Sequence, residues 1–496
     1  MKHISIILWL GLATTVWGQD RDPFAEAAQA SAKPNTDPFA EASPKPQADD
    51  PFVQDGDPLG KPSHPKTYQN NVGHLTEFIE IDPIILTAML SDDTLEVGNG
   101  SEVRRVVDDY FVSGKATLID SCFVSSQGGT AKLSSTAELI YPVEWDMGET
   151  FHGSGAERRE LVPKVIDGVT YWPPTIYPHP TTFQERPIGI WLMLEASMTP
   201  SGKSTRGVIE PGFSRFAGRS AYGELAGKPN ELAGHWLPLI ESMSTRVSFE
   251  TPLATTDWIS SNPLGGGNPV LVFNRPYRMH RMRKPKALSP KGNVTVIAEC
   301  LEVDASWFEK HVRDDVDVDS VGLRTEMQTL IDGGQAQVVG IGSVSGLIGT
   351  ELRSSGARER AYPTDYDPPE IPTAQAAKDS VAWPPASFPA PTAFETRNVD
   401  FGVSATIDDL GLDRGYQLKV RTYQTLDGGD VATSELITPT GKVPMTTMPR
   451  FISASVETTV FAHRGETVLL GAMTPRAKDL TPILDKRWLM FLRLAK

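Results

Sequence analysis

TEFIEIDPIILTAML runs from Thr76 to Leu90, and AECLEVDASWFEKHV runs from Ala298 to Val312. Each stretch reads as an alternating strand followed by a helix that opens at an aspartate, Asp82 in the first and Asp304 in the second. An aspartate at that boundary accepts from the free N–H groups of the first helical turn. In the first stretch Pro83 then takes the opening helical position, where its missing N–H costs nothing. One strand–helix unit is written twice, and the rest of the chain is read outward from it.

A second helix follows in each copy. Val103, Val107, Tyr110 and Phe111 form one apolar stripe, and Leu323, Met327, Leu330 and Ile331 repeat its spacing. GKATLIDSCFVSSQGGTAKLSSTAELIYPVEWD from Gly114 parallels GQAQVVGIGSVSGLIGTELRSSGARERAYPTDYD from Gly334. PTTFQER at Pro180 matches PTAFETR at Pro391, and LPLIESMSTRVSF at Leu237 matches MPRFISASVETTV at Met448. Repeats of this length mark homologous modules.

Within each copy the strand signal dominates. Tyr416, Leu418, Val420 and Thr422 alternate with Gln417, Lys419 and Arg421. Ile452, Ala454 and Val456 alternate with Ser453, Ser455 and Glu457, and Trp488, Met490, Leu492 and Leu494 share one face of a last strand. Such period-two patterns predict antiparallel strands with unequal faces. The expected class is α+β and sheet-dominated: two tandem homologous modules of antiparallel strands with two short helices each, after a disordered arm. The expected boundaries are a signal peptide at 1–18, the arm at 19–65, modules at 73–275 and 293–496, and a basic linker at 276–292.

Composition narrows the function. The 496-residue chain carries a net charge of −15, which argues against nucleic-acid binding through phosphate-neutralising Lys and Arg. With 42 Gly and 40 Pro, long helical bundles are disfavoured, and 2 Cys exclude a disulfide-stapled scaffold. Lys2 and His3 precede an apolar run, Ile4–Val16, and Val16-Trp17-Gly18 resembles a signal-peptidase site. Export is therefore expected, with the mature protein soluble, surface-associated or a β-barrel. In an oxidising space Cys122 and Cys300 are free to bridge or to stay buried as thiols. The segment from Asp20 to Pro65 repeats DPFAEA at Asp22 and Asp37, with DPF again at Asp50. Its Pro/Ala/Asp-rich composition cannot bury enough apolar surface to offset ordering entropy.

Several motifs imitate chemical sites. Ser197–Thr205 contains Gly202-Lys203-Ser204 but lacks the first glycine of a phosphate loop, so a hairpin turn is expected. Asp315, Asp317 and Asp319, with Glu326, echo a calcium loop, but Ser320 stands where glycine is needed. Gly342-Ser343-Val344-Ser345-Gly346 has the wrong spacing for a nucleophile elbow. Glu144 and Asp146, matched by Asp365 and Asp367, are read as turn residues rather than a hydrolytic pair. Arg275, Arg278, Arg281, Arg283, Lys284 and Lys286 form a basic cluster between the modules. It is read as a solvated linker, with anionic head groups or an acidic partner as the alternative. No catalytic, cofactor or metal residue is assigned, and no enzyme activity or small-molecule substrate is expected.

The second module resembles the secretin domain of outer-membrane channels in type II and type III secretion and type IV pilus systems. The resemblance rests on an ordered set of segments: GGQAQVVGIGSVSG from Gly333, GARERAYPTDYDPPEIP from Gly356, PTAFETRNVDFGVSATIDDLGLDRGYQLKVR from Pro391, MPRFISASVETTVFAHRGETVLLGAMTP from Met448 and DKRWLMFLRLAK from Asp485. The first module carries the same order more faintly, including ERPIGIWLMLEASMTPSGKS from Glu185. Gly471-Ala472-Met473 stands where the family has Gly-Gly-Leu. The resemblance implies a homo-oligomeric, secretin-like component of an outer-membrane secretion or pilus system, as channel or channel-associated subunit, with protein partners. The rival expectation is a periplasmic or surface scaffold that reuses the fold for protein contacts.

Overall fold

The computed structural model describes residues 71–91, 100–146, 164–166, 169–171, 179–221, 236–263, 268–279, 293–313, 317–367, 390–410, 415–438 and 441–495. The chain divides into one unit at Met1–Lys66 and another at Thr67–Lys496. All described residues belong to the second unit. The expected signal peptide and arm, and Arg281, Arg283, Lys284 and Lys286 of the basic cluster, lie outside them.

The first half contains β1 (Val72–Ile81), α1 (Pro83–Ser91), α2 (Gly100–Val112), β2 (Ala116–Ser126), β3 (Thr130–Asp146), β4 (Lys164–Ile166), β5 (Val169–Tyr171), β6 (His179–Met198), β7 (Ser204–Ala221), β8 (Trp236–Ser244), β9 (Val247–Pro252), β10 (Asp257–Pro263) and β11 (Pro269–Met279). The second contains β12 (Asn293–Asp304), α3 (Ala305–Arg313), β13 (Asp317–Val318), α4 (Ser320–Asp332), β14 (Gln337–Leu347), β15 (Glu351–Asp367), β16 (Ala390–Asp409), β17 (Tyr416–Thr438), β18 (Gly441–Ala462), β19 (Thr467–Met473) and β20 (Lys486–Leu494). The class is sheet-dominated α+β.

Local signals explain the helix ends. Asp82 Oδ1 accepts from Ile84 N at 2.7 Å, as an N-cap should. Asp304 holds the corresponding place but takes Lys486 Nζ at 2.7 Å instead. Asp319, part of the calcium-loop imitation, is the N-cap of α4 and accepts from Val321 N at 3.1 Å. Both second helices end in the same way. Gly114 and Gly334 sit at φ 69° and 71°, where glycine escapes the Cβ clash. The following amides, Lys115 N and Gln335 N, return to Tyr110 O and Leu330 O at 2.9 and 2.8 Å.

The strands form two large sheets. One, sheet A, has the order β10-β11-β1-β2-β19-β20-β12-β14, with β13 added in parallel beside β11. The other, sheet B, has the order β15-β16-β17-β18-β3-β6-β7-β8, with β9 also pairing β7. Each half therefore contributes a four-strand block to each sheet, and the two blocks have the same internal order. Their irregularities coincide too. The β1–β2 ladder shifts between Phe78 and Ile79, and the β12–β14 ladder shifts between Cys300 and Leu301. The β3–β6 and β15–β16 ladders shift after Pro142 and Pro363 respectively. Ile81 and Val303, expected at equivalent positions, are both buried, as are Tyr141 and Tyr362.

Three layers result. One face of sheet A carries Ile79, Ile81, Leu271 and Phe273 against α1 and α2, and Leu301, Val303, Leu489 and Phe491 against α3 and α4. Its other face packs Phe78, Val124, Val272, Cys300, Met490 and Leu492 onto Leu133, Ile190, Leu192, Leu418, Ala454 and Val456 of sheet B. Burial of both faces of sheet A corrects one reading. β20 is not one-sided: Leu489 and Phe491 face the helices while Met490 and Leu492 face sheet B. Glu144, Asp146, Asp365 and Asp367, expected in loops, lie at the ends of β3 and β15. β11 continues through Arg275 to Met279, into the stretch expected as linker.

Candidate protein-interaction surface

Packing consumes the apolar face of sheet B, so its chemistry lies on the other face. There Ser453, Ser455 and Glu457 of β18 alternate with the buried Ile452, Ala454 and Val456. Lys132 of β3 stands opposite Glu457, and Lys419 and Arg421 of β17 project on the same side of the alternation. Ser134 and Ser455 approach with their Oγ atoms 2.9 Å apart. Two aromatic rings lie flat on this face, each covering a cross-strand glycine. Trp191 lies over Gly212, and Tyr423 lies over Gly402. The aromatic and the glycine exchange strands between the halves, so the same space is filled from opposite sides.

Toward the far ends of the strands the face becomes strongly charged. Arg397 reaches Glu138 Oε1 at 3.1 Å and Glu185 Oε1 at 2.6 Å. Burial opposes its charge, and the two carboxylates outweigh burial, so its pKa rises. Arg360 pairs with Asp427 and with Asp430 at 2.5 Å. At this end Asp365 of β15 pairs with Thr182 of β6.

The junction between halves is the second feature. In sheet A, β2 meets β19 with Val124, Phe123 and Cys122 opposite Gly471, Ala472 and Met473. In sheet B, β3 meets β18 from Lys132/Glu457 to Ala137/Ile452. Fully buried polar groups tie the halves together. Arg476 pairs with Asp120. Arg487 crosses the junction to Ser121 Oγ at 3.0 Å and, within its own half, donates to the part-exposed Glu309 Oε1 at 3.0 Å. Burial raises the Asp120 carboxyl above its ordinary value, and the Arg476 charge works against that rise. Thr458 Oγ1 donates to Ser125 O at 2.6 Å.

Helices carry a repeated charge pair. Arg104 of α2 holds Glu77 of β1 at 2.9 Å, and Arg324 of α4 holds Glu299 of β12 at 2.7 Å. The sequence reading missed both. The signal was available: each arginine follows the first residue of its apolar stripe, and each glutamate sits at the same place in the repeated strand.

The motifs that imitate chemical sites fall within turns, strands and helix ends, and Asp315 of the calcium-loop imitation lies outside the described residues. Ser197–Thr205 spans the β6–β7 turn, with Gly202 at φ 68°, and Gly202 O accepts from Arg278 Nη2 at 2.9 Å. Glu326 pairs with His311 Nε2 at 2.9 Å. Gly342–Gly346 lies within β14. Cys122 and Cys300 are free and buried. Burial pushes both thiols up, so neither is poised as a reactive thiolate. Among the described residues no three His, Cys, Asp or Glu side chains converge as metal ligands, and no helix is long and apolar enough to cross a membrane.

No family model matches the chain, and no curated protein matches it. Among solved structures, the cryo-EM structure of the type IV competence pilus secretin PilQ of V. cholerae is similar over 86% of this chain, at 10% identity and a TM-score of 0.18. The chain spans 60% of the length of that secretin. A TM-score this low adds no weight to a reading of fold or function.

Proposed function

We propose that the chain is an exported, secretin-like subunit of an outer-membrane secretion or pilus system, acting beside a channel through protein contacts rather than forming the lipid-facing wall. The observation that carries this reading is the polarity of the open face of sheet B. A barrel wall in lipid needs an apolar outer band, and Lys or Arg at the bilayer midplane costs roughly 2–4 kcal/mol each. In sheet B the apolar alternation is spent on sheet A; beside the junction the other face carries Lys132, Lys419, Arg421 and Glu457, and at its far end Ile140, Phe183 and Phe451 are buried with Tyr362 of β15 rather than left open. Such a face suits water or a polar partner. The ordered secretin-like segments and the signal-like N-terminus support the assignment to an envelope machine. The proposal gives the chain no catalytic chemistry.

Fractionation of the native host tests it. The protein is expected in the periplasmic fraction, or released from membranes by alkaline carbonate. A protein that only detergent extracts would overturn this reading in favour of the channel itself.

A further inference from the structure

One group of side chains between the two sheets is polar in the first half and apolar in the second. His74 and Thr76 of β1 and Asn274 of β11 share the face of sheet A that packs on sheet B, and Thr205 of β7 lies on the inward face of sheet B. All four are 0% exposed. Contacts across the sheets place them together. His74 donates through Nδ1–H to Asn274 Oδ1 at 3.3 Å, and its ring stands edge-on to Phe249 of β9 at 5.6 Å. Thr251 of β9 donates through Oγ1 to Asp257 Oδ2 at 2.8 Å. Asp257 is opposite Asn274, and Thr251 is opposite Thr205. The ladders carry each position to its counterpart. Thr76 faces Asn274 as Ala298 faces Leu492, and His74 then answers to Val296. Thr205 faces Thr251 as Tyr416 faces Ala462, and Asp257 faces Asn274 as Val468 faces Leu492. All the second-half counterparts belong to the apolar core between the sheets.

The fold therefore does not require polar side chains at these positions, and the protein does not satisfy the ones it has. Among the described residues His74 Nε2, Thr76 Oγ1, Asn274 Nδ2 and Thr205 Oγ1 have no hydrogen-bond partner. An unpaired buried donor or acceptor carries its full desolvation penalty, and native interiors relieve such groups with ordered water where the protein does not reach them. The chemistry of the four atoms selects the ligand. Nδ1 of His74 carries the proton, so Nε2 offers a lone pair, and burial keeps the ring neutral by lowering its pKa to about 4. Asn274 Nδ2 offers only N–H, and the threonine hydroxyls can donate or accept. The amide N–H groups disfavour a cation, and the imidazole lone pair disfavours an anion. A neutral molecule that both donates and accepts suits all four. Thr205 is much smaller than Tyr416, and Phe249 in place of Val460 takes back part of that space, which leaves room on the scale of water. We propose that the first half holds ordered water between its sheets, on His74, Thr76, Asn274 and Thr205, and that this seam is where the two sheets part first. The proposal goes beyond the functional reading above and does not depend on it.

The mechanical consequence follows from what the water displaces. In the second half Val296, Ala298, Leu492 and Tyr416 close the gap with apolar contact, and every such contact is lost when the sheets separate. In the first half the same positions hold hydrogen bonds to water, which bulk water replaces as the sheets part. Regions with fewer buried apolar contacts open at a lower free energy than the rest of a fold. The first half thus yields before the second, although both are built on the same strand order.

Two measurements on the full chain test this, and neither depends on a variant. A crystal structure at a resolution that shows water is expected to place ordered water within hydrogen-bond reach of His74 Nε2 and Asn274 Nδ2, with none at Val296 and Leu492. Native-state hydrogen exchange compares β1 with β20, which are each third from an edge of sheet A. The amides of β1 are expected to exchange about tenfold faster. The T76A/N274L variant, which writes Ala298 and Leu492 into their first-half counterparts, is expected to lose the water and to bring β1 exchange toward that of β20. No water on His74 and Asn274 would overturn the site, and density that only a metal ion or a larger solute explains would overturn the assignment to water. Protection of β1 equal to that of β20, or a folded variant whose β1 exchange does not slow, would overturn the link between water and opening.

Discussion

Arg104 Nε lies 2.9 Å from Glu77 Oε2, and both side chains are 9% exposed. The pair pins α2 onto the first strand of sheet A. Removing one partner of a buried pair costs about 3–5 kcal/mol when the charge left behind is uncompensated. Arg104 also pairs with the exposed Asp108, which keeps part of its compensation, so Glu77→Leu is expected to lower the unfolding free energy by about 2–3 kcal/mol in chemical denaturation. The equivalent Glu299→Leu is expected to cost less, because the Arg324–Glu299 side chains are 19% and 14% exposed. Equal losses at the two sites would contradict the burial argument.

Asp120 and Arg476 make the corresponding test of the junction between halves. Their side chains are 0% and 1% exposed. Asp120→Ala strands the Arg476 charge in the interior and is expected to cost about 3–5 kcal/mol. Asp120→Ala with Arg476→Met removes both charges and is expected to recover most of the loss. The denaturation midpoints of the two variants check this.

The Trp191–Gly212 pair predicts a size effect. A Cβ at Gly212 would meet Trp191 Cε2 at 1.9 Å. Gly212→Val must lift the indole off the sheet, at a cost of about 1–3 kcal/mol, with a red shift in tryptophan emission. Gly402→Val should displace Tyr423 in the same way but leave the emission unchanged.

His74 supplies a pH dependence. It is buried, donates through Nδ1–H to Asn274 Oδ1 at 3.3 Å, and among the described residues its Nε2 finds no partner. Burial lowers its pKa from 6.5 to about 4, against the opposing effect of Asn274. Below pH 6.5 the unfolded chain binds a proton that the folded chain refuses, so this residue erodes stability as the pH falls toward 4. The full loss is roughly 3 kcal/mol. A His74→Val variant should show a flatter decline across that window, and a parallel decline would refute the assignment.

Cys122 and Cys300 are both buried thiols. A thiol reagent should modify neither in the native protein and both in denaturant, even for protein recovered from an oxidising compartment. A native protein with no titratable thiol after denaturation would show that they bridge.

Short-range periodicity made the sequence informative about elements. Alternation in Ile452–Val456, the stripe Val103–Phe111 and the Asp82-Pro83 boundary each involve neighbours a few residues apart, so local sterics and one-sided burial write them directly into the chain. The repeat had the same origin: matching environments keep matching residues, which is why Tyr141 and Tyr362 were legible as equivalents.

The partners of those elements were decided elsewhere. Nothing near Asp120 shows that it meets Arg476, and nothing near Ser134 shows that it meets Ser455; such pairs exist only once β2 and β3 of one half lie beside β19 and β18 of the other. β20 is apolar at every position from Trp488 to Leu492, so no alternation marks its faces, and only the packing shows that Leu489 and Phe491 meet the helices while Met490 and Leu492 meet sheet B. The sequence by itself determined that this protein is a sheet-dominated chain with short helices, two of them following the matching strands that begin at Thr76 and Ala298. Only the tertiary structure decided that the two halves share two continuous sheets, because strand pairing joins backbone groups hundreds of residues apart and backbone groups carry no residue code.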